Sequence, residues 1–147
     1  MRMNEGEGAQ DVETRLDSTL ESVDLAEAAV LQVAEEAGFD EDARHQIGMA
    51  VREAMVNAIT HGNRYSSHKK VSLSVHPARN RLTIRIADEG DGFDVASVPD
   101  PLAQENLLRQ SGRGLMLIRA FVDEFRIETA QPKGTVLELV KYLSQPR

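Results

Sequence analysis

The stretch Glu53-Ala54-Met55-Val56-Asn57 constrains this chain most, because it lies within a pattern that predicts a helix from about Asp42 to His61. The apolar positions that should face the core are Ile47, Val51, Ala54, Met55 and Ala58. Glu53 and Asn57 emerge on nearly one face, roughly 100–140° from the centre of that apolar stripe. A carboxylate and an amide oxygen at the edge of the core could line a cleft, and the alternative is an ordinary solvated helix face.

Composition narrows the class of protein. The 147 residues suggest one domain with one core, and a net charge of −7 argues against nucleic acid or an anionic membrane as a partner. The absence of cysteine excludes disulfides, thiolate catalysis and cysteine-ligated metals. No apolar run approaches the roughly 18 residues of a membrane span, and no signal segment is visible, so the expected location is cytoplasmic.

The patterns along the chain predict an α+β protein. Residues 1–11 are polar and predict a disordered N-terminal lead, and residues 12–147 are expected to form a single domain. The predicted elements are a strand at 12–16, helices at 20–37 and 42–61, strands at 71–75 and 82–86, a helix after 114, and strands at 125–129 and 136–143. This order predicts a two-layer sandwich, with helices on one face of a mainly antiparallel mixed sheet.

The motif Asp88-x-Gly90-x-Gly92 follows the second strand of the predicted hairpin directly. Glycines at these positions permit close approach of the backbone to a ligand. Asp88 offers an acceptor of fixed direction, which suits an exocyclic amino group such as that of adenine. The alternative is an ordinary acidic turn, because Asp and Gly are common turn residues.

A second glycine motif, Gly112-x-Gly114, lies where a long aperiodic segment enters a helix. The free N–H groups and the dipole of a helix N-terminus attract phosphate, and Arg109 and Arg113 could neutralise its charge. The alternative is a loop with ordinary surface arginines. The motif is neither a Walker sequence nor a dinucleotide-binding fingerprint.

The order of these motifs, followed by Gly134-Thr135 at the last strand, carries a resemblance to a known family. From about Leu20 to Leu143 the chain resembles the GHKL superfamily, whose Bergerat-type ATP-binding fold is shared by gyrase, heat-shock chaperone ATPases, histidine kinases and MutL proteins. Within that superfamily, residues 53–63 and 111–115 are most similar to the bacterial anti-sigma-factor serine kinases.

The resemblance implies a role for each matching residue. Glu53 would be the general base, and Asn57 would ligate an Mg²⁺ ion that bridges the phosphates of ATP. Asp88 would bind the adenine amino group, in a wall shaped by Gly90 and Gly92 and close to Thr135.

The resemblance also implies that residues 93–111 form an ATP lid, which closes with Gly112 and Gly114 on the phosphates. One departure from the family concerns the arginine of this segment. Gln110 stands where the related enzymes often have an arginine, so either Arg109 or Arg113 could meet the γ-phosphate.

The expected function is an ATP-dependent protein-serine/threonine kinase that is also an anti-sigma factor. Its expected partners are a sigma factor, a small anti-anti-sigma protein that carries the acceptor serine, and a second copy of the chain in a homodimer. The alternative is an ATP-dependent binding switch of the same fold without kinase activity. Glu53 favours catalysis, because a pure binding module needs no base.

Overall fold

The computed structural model describes residues 9–90, 114–130 and 133–144. Its elements are β1 (Val12–Asp17), α1 (Glu21–Ala37), α2 (Glu41–Val56), a π-helical turn (Asn57–Gly62), β2 (Lys70–Pro77), β3 (Arg81–Ala87), α3 (Gly114–Phe121), β4 (Glu124–Thr129) and β5 (Thr135–Tyr142). This arrangement confirms the predicted α+β fold.

The five strands form one sheet in the order β1-β2-β3-β5-β4, and each of these four pairings is antiparallel. Leu73 lies opposite Ile86, and Ile84 lies opposite Leu139, so apolar side chains align across the central strands. The alternation of buried with less buried residues along most of β2 and β3 follows from the period of two in a strand. One face of the sheet therefore belongs to the core.

The helices cover that face, with α2 packed between α1 and α3. Fully buried side chains of α2 and the π-helical turn meet those of the sheet, and the largest of them include Ile47, Met55, Ile59, Leu73, Ile84 and Leu139. The predicted ends of two helices are confirmed. Gly38 ends α1 with a φ of 101°, and Asp40 caps α2 by accepting a hydrogen bond from the Ala43 N–H at 2.8 Å.

The motif helix differs from the prediction of one continuous helix to His61, because α2 ends at Val56 and a π-helical turn follows. The Asn63 N–H donates to the Ala58 carbonyl oxygen, one residue further back than in an α-helix. The wider turn brings Gly62 against Gly90 on the neighbouring segment. Hydrophobic periodicity does not reveal this change, since one wider turn hardly alters the apolar pattern.

Several predicted features fall outside the described residues. The lid (93–111), Gly92, Arg109, Gly112 and Arg113 are among them, and so is most of the predicted lead. Of that lead, residues 9–11 are described, and Ala9 is buried against the core. No helix within the described ranges is long and apolar enough to span a membrane.

Candidate active site

Glu53 and Asn57 lie together at the junction of α2 and the π-helical turn, facing the start of α3. A Cβ atom added to Gly114 would stand 2.9 Å from Asn57 Nδ2 and 3.1 Å from Glu53 Oε1. The fold thus brings together three residues that the sequence places in two separate motifs. Glycine at position 114 lets the N-terminus of α3 approach the two polar side chains.

The hydrogen bond that Asn57 makes leaves its amide oxygen for a ligand. Asn57 Nδ2 donates to the backbone oxygen of Glu53 at 2.9 Å, which occupies the amide nitrogen with the helix itself. Oδ1, a hard oxygen donor of the kind that Mg²⁺ prefers, makes no hydrogen bond to any residue that the structure describes. Both Glu53 and Asn57 are half-buried, and both are therefore reachable from solvent.

Asp88 forms the second part of the site, at the end of β3, and only 7% of it is exposed. Its Oδ1 accepts hydrogen bonds from the Gly90 N–H at 2.9 Å and from the Thr135 N–H at 3.2 Å. The Asp88 N–H donates to the Thr135 carbonyl oxygen at 2.9 Å. The structure therefore places Thr135 beside Asp88 and fixes the carboxylate through one of its two oxygens.

Glycines allow the backbone segments around Asp88 to touch. A Cβ atom on Gly90 would overlap the Gly62 carbonyl oxygen, and one on Gly62 would overlap Asp88 Oδ2. Gly134 has a φ of 112°, and a Cβ there would overlap the Asp88 carbonyl oxygen. Three segments that are distant in sequence therefore meet at Asp88, with Oδ2 on the side of Gly62.

Burial raises the pKa of the Asp88 carboxyl above its ordinary value. The hydrogen bonds from Gly90 and Thr135 and the positive charge of Lys69 act in the opposite direction but do not cancel the effect. A ligand that donates a hydrogen bond to Oδ2 would stabilise the charged form.

Asn63 lies beside the site, and no role was predicted for it from the sequence. It is 1% exposed, and its side chain contacts three separate segments. Nδ2 donates to Ser18 Oγ at 2.9 Å and to the Lys70 carbonyl oxygen at 3.0 Å, while Oδ1 accepts from the Glu89 N–H at 2.7 Å. These partners are remote in the chain, so no spacing rule points to them.

The described residues hold no group of three or more His, Cys, Asp and Glu side chains able to bind a metal ion. A metal at Asn57 would therefore complete its coordination with oxygens of a bound phosphate and water, as Mg²⁺ commonly does. The donor set fits a metal that arrives with a nucleotide.

These features define a nucleotide-binding protein of the helix-on-sheet ATPase class. The family model described as "Histidine kinase-like ATPase domain" matches residues 16–141, and the chain belongs to that family.

Named relatives narrow the class. The chain is 28% identical over 145 residues to the serine-protein kinase RsbW of Bacillus subtilis, which covers 95% of this chain and 89% of the relative. RsbW of Staphylococcus epidermidis is 29% identical over 141 residues, covering 91% and 87%. The anti-sigma F factor of Thermoanaerobacter sp. (strain X514) is 30% identical over 103 residues, covering 69% and 71%. The predicted resemblance and the predicted class, a serine kinase, are confirmed.

Solved structures show the same fold. A crystal structure of the RsbU and RsbW domains of a Mycobacterium tuberculosis protein matches with a TM-score of 0.68 at 22% identity, covering 94% of this chain and 33% of that one. The catalytic domain of the histidine kinase ThkA matches with a TM-score of 0.55 at 13% identity, covering 92% of this chain and 99% of that one.

Proposed function

We propose that this chain is an anti-sigma factor with protein-serine kinase activity. It binds Mg-ATP, phosphorylates a serine of a small anti-anti-sigma regulator and sequesters a sigma factor. The observation that carries the proposal is the meeting of Glu53 and Asn57 with Gly114 at the start of α3. The names of the relatives support both activities.

Glu53 accepts the proton of the acceptor serine, because its carboxylate is half-buried beside the helix start where phosphate would bind. Asn57 presents Oδ1 to Mg²⁺, whose charge offsets that of the ATP phosphates. The N–H groups at the N-terminus of α3 bind phosphate oxygens. Gly112 and Arg109 or Arg113 complete this half of the site, and residues 93–111 form the lid.

Asp88 selects the base. Its Oδ1 is already occupied by two backbone N–H groups, so Oδ2 is the oxygen that receives the adenine amino group. Gly90, Gly92 and Thr135 form the wall of this pocket. We further propose a cytoplasmic homodimer as the working form.

The test has two stages. The purified chain is first titrated calorimetrically with Mg-ADP. We expect a Kd in the micromolar range, which corresponds to a binding free energy of about −8 kcal/mol. Absence of binding would overturn the whole proposal. The chain is then used to capture partners from the source cell, with and without Mg-ATP, and radiolabelled ATP is added to the captured material.

Capture of a sigma factor together with label on a serine of a small regulator supports both activities. Binding of Mg-ATP with a captured sigma factor and no transfer to any partner would instead support the ATP-dependent binding switch.

A further inference from the structure

Glu89, the residue after Asp88, makes three hydrogen bonds to other segments of the chain. The Glu89 N–H donates to Asn63 Oδ1 at 2.7 Å, and Glu89 Oε1 accepts from the Lys70 N–H at 2.9 Å. Glu89 Oε2 accepts from Arg15 Nη2 at 2.8 Å. Of these three bonds, the Asn63 bond has the most deeply buried side chain, and the Arg15 pair is largely exposed. Exposed ion pairs contribute little, and the Lys70 bond holds the Glu89 side chain, so Asn63 is the residue that holds the Glu89 backbone N–H.

The donor and acceptor atoms of the Asn63 side chain match the hydrogen-bonding groups around it. Ser18 Oγ donates its own proton to the Lys69 carbonyl oxygen at 2.6 Å, which leaves a lone pair for Asn63 Nδ2. The Asn63 side chain therefore meets two acceptors with its nitrogen and one donor with its oxygen. Only an amide satisfies all three partners at once, because a carboxylate would set oxygen against oxygen.

The position of Asn63 depends on the π-helical turn that follows the motif helix. The backbone N–H of Asn63 makes the wide hydrogen bond to the Ala58 carbonyl oxygen, and Gly62 next to it touches Gly90 and Asp88. The helix that carries Glu53 and Asn57 is thereby tied directly to the turn that carries Asp88.

We infer that Asn63 is a positioning residue for base selection. It fixes the turn 88–90 so that Asp88 Oδ2 faces a 6-amino purine, and without it the site loses preference for that amino group. The inference rests on the proposed nucleotide site. It assigns to Asn63 no contact with the nucleotide itself.

The test compares ADP with the diphosphate of purine riboside, which lacks the amino group at position 6. Calorimetric titration of the wild-type chain should show a preference for ADP of about tenfold to a hundredfold, because purine riboside leaves the buried Asp88 Oδ2 without a donor. In Asn63→Asp and Asn63→Ala that preference should fall to less than about threefold. The phosphates are common to both ligands, so any charge effect of Asn63→Asp cancels in the ratio.

Two further variants act as controls. Asn80→Asp makes the same chemical change at an exposed position in the β2–β3 turn and should keep the full preference. Ser18→Ala removes one partner of Asn63 but leaves its bond to the Glu89 N–H, and it should give an intermediate ratio. Thermal unfolding of every variant identifies any that fail to fold. If the Asn63 variants fail, the ratio of the two affinities in Ser18→Ala is the test.

An unchanged ratio in folded Asn63 variants, with both ligands weakened alike, would show a purely structural role and overturn the inference. If the Asn63 variants do not fold, an unchanged ratio in Ser18→Ala has the same consequence. A wild-type chain that binds neither ligand, or both equally, overturns the proposed adenine site instead.

Discussion

The two halves of the candidate site are built in different ways. Around Asp88, buried backbone segments touch through glycines, and the carboxylate is fixed by two N–H groups. Around Glu53 and Asn57, the side chains are half-buried, and the bond that Asn57 makes within the described residues is to its own helix.

The difference matches what each half is expected to recognise. A base offers one amino group in a fixed direction, which a carboxylate held in place by backbone can select. Phosphoryl transfer needs oxygens that are free to meet a metal ion, a phosphate and an incoming hydroxyl. The half around Asp88 therefore uses Oδ1 in internal hydrogen bonds and keeps Oδ2 for the base. In the half around Glu53, the Glu53 carboxylate and Asn57 Oδ1 make no hydrogen bond within the described residues.

The largest expected effect comes from a substitution that alters only the half of the site around Glu53 and Asn57. Glu53→Gln keeps size and helix but removes the proton acceptor, so serine phosphorylation should fall by about 10²–10⁴-fold with Mg-ADP affinity unchanged. Radiolabel transfer and calorimetry on the same preparation measure the two quantities. Transfer at the wild-type rate would remove Glu53 from the mechanism.

Asn57→Ala is the matched comparison one helical turn away. It removes the proposed metal ligand, so binding of Mg-nucleotide should weaken together with transfer. Similar behaviour of the two variants would show that the two residues do not have separate roles.

The next largest effect is expected from a substitution in the half of the site around Asp88. Asp88→Asn can still accept from Gly90 and Thr135 through Oδ1, and it then presents Nδ2 to the adenine amino group. Two opposed donors cost about 1–3 kcal/mol, so ADP affinity should fall about tenfold to a hundredfold. Calorimetric titration checks this, and wild-type affinity in the variant would show that Asp88 does not bind the base.

The close backbone contact between Gly90 and Gly62 gives a fourth prediction. Gly90→Ala places a Cβ against the Gly62 carbonyl oxygen, which cannot move without its segment, and should lower the free energy of unfolding by about 1–3 kcal/mol. Gly48→Ala is the control, because its Cβ would stand 2.9 Å from the flexible tip of Glu27. That substitution also favours the helix, so its net effect should stay within about 1 kcal/mol. Urea unfolding of both variants tests the contrast, and equal effects would contradict it.

The smallest effect concerns pH. Since burial raises the pKa of Asp88, the nucleotide-free folded state binds this proton more tightly than the unfolded chain does. The resulting stabilisation is present below the ordinary carboxyl pKa and is lost as pH rises through the raised value. Nucleotide-free Asp88→Asn should therefore unfold at a higher temperature than wild type at neutral pH.

This advantage should shrink as the pH falls through the raised pKa of Asp88, where the wild-type carboxyl takes up its proton. Thermal unfolding of both proteins across this range measures it. A variant that is less stable than wild type at neutral pH would contradict the burial argument.

The sequence predicted the architecture because its signals are local. Period-two alternation marked β2 and β3, and Gly38 and Asp40 marked the ends of two helices. The same local reasoning placed Glu53 and Asn57 on one helix face and Asp88 at a strand end. Roles for Gly92, Arg109, Gly112 and Arg113 stay predictions, since these residues lie outside the described ranges.

By itself, the amino-acid sequence determined which residues form helices and strands and which polar groups are available for nucleotide chemistry. The tertiary structure alone decided which of these groups meet. It brought Gly114 to Glu53, Thr135 to Asp88, and Asn63 to Glu89. The physical reason is that these contacts depend on the wide turn after α2 and on close packing at glycines. Both arise from packing between segments, which the local pattern of side chains does not record.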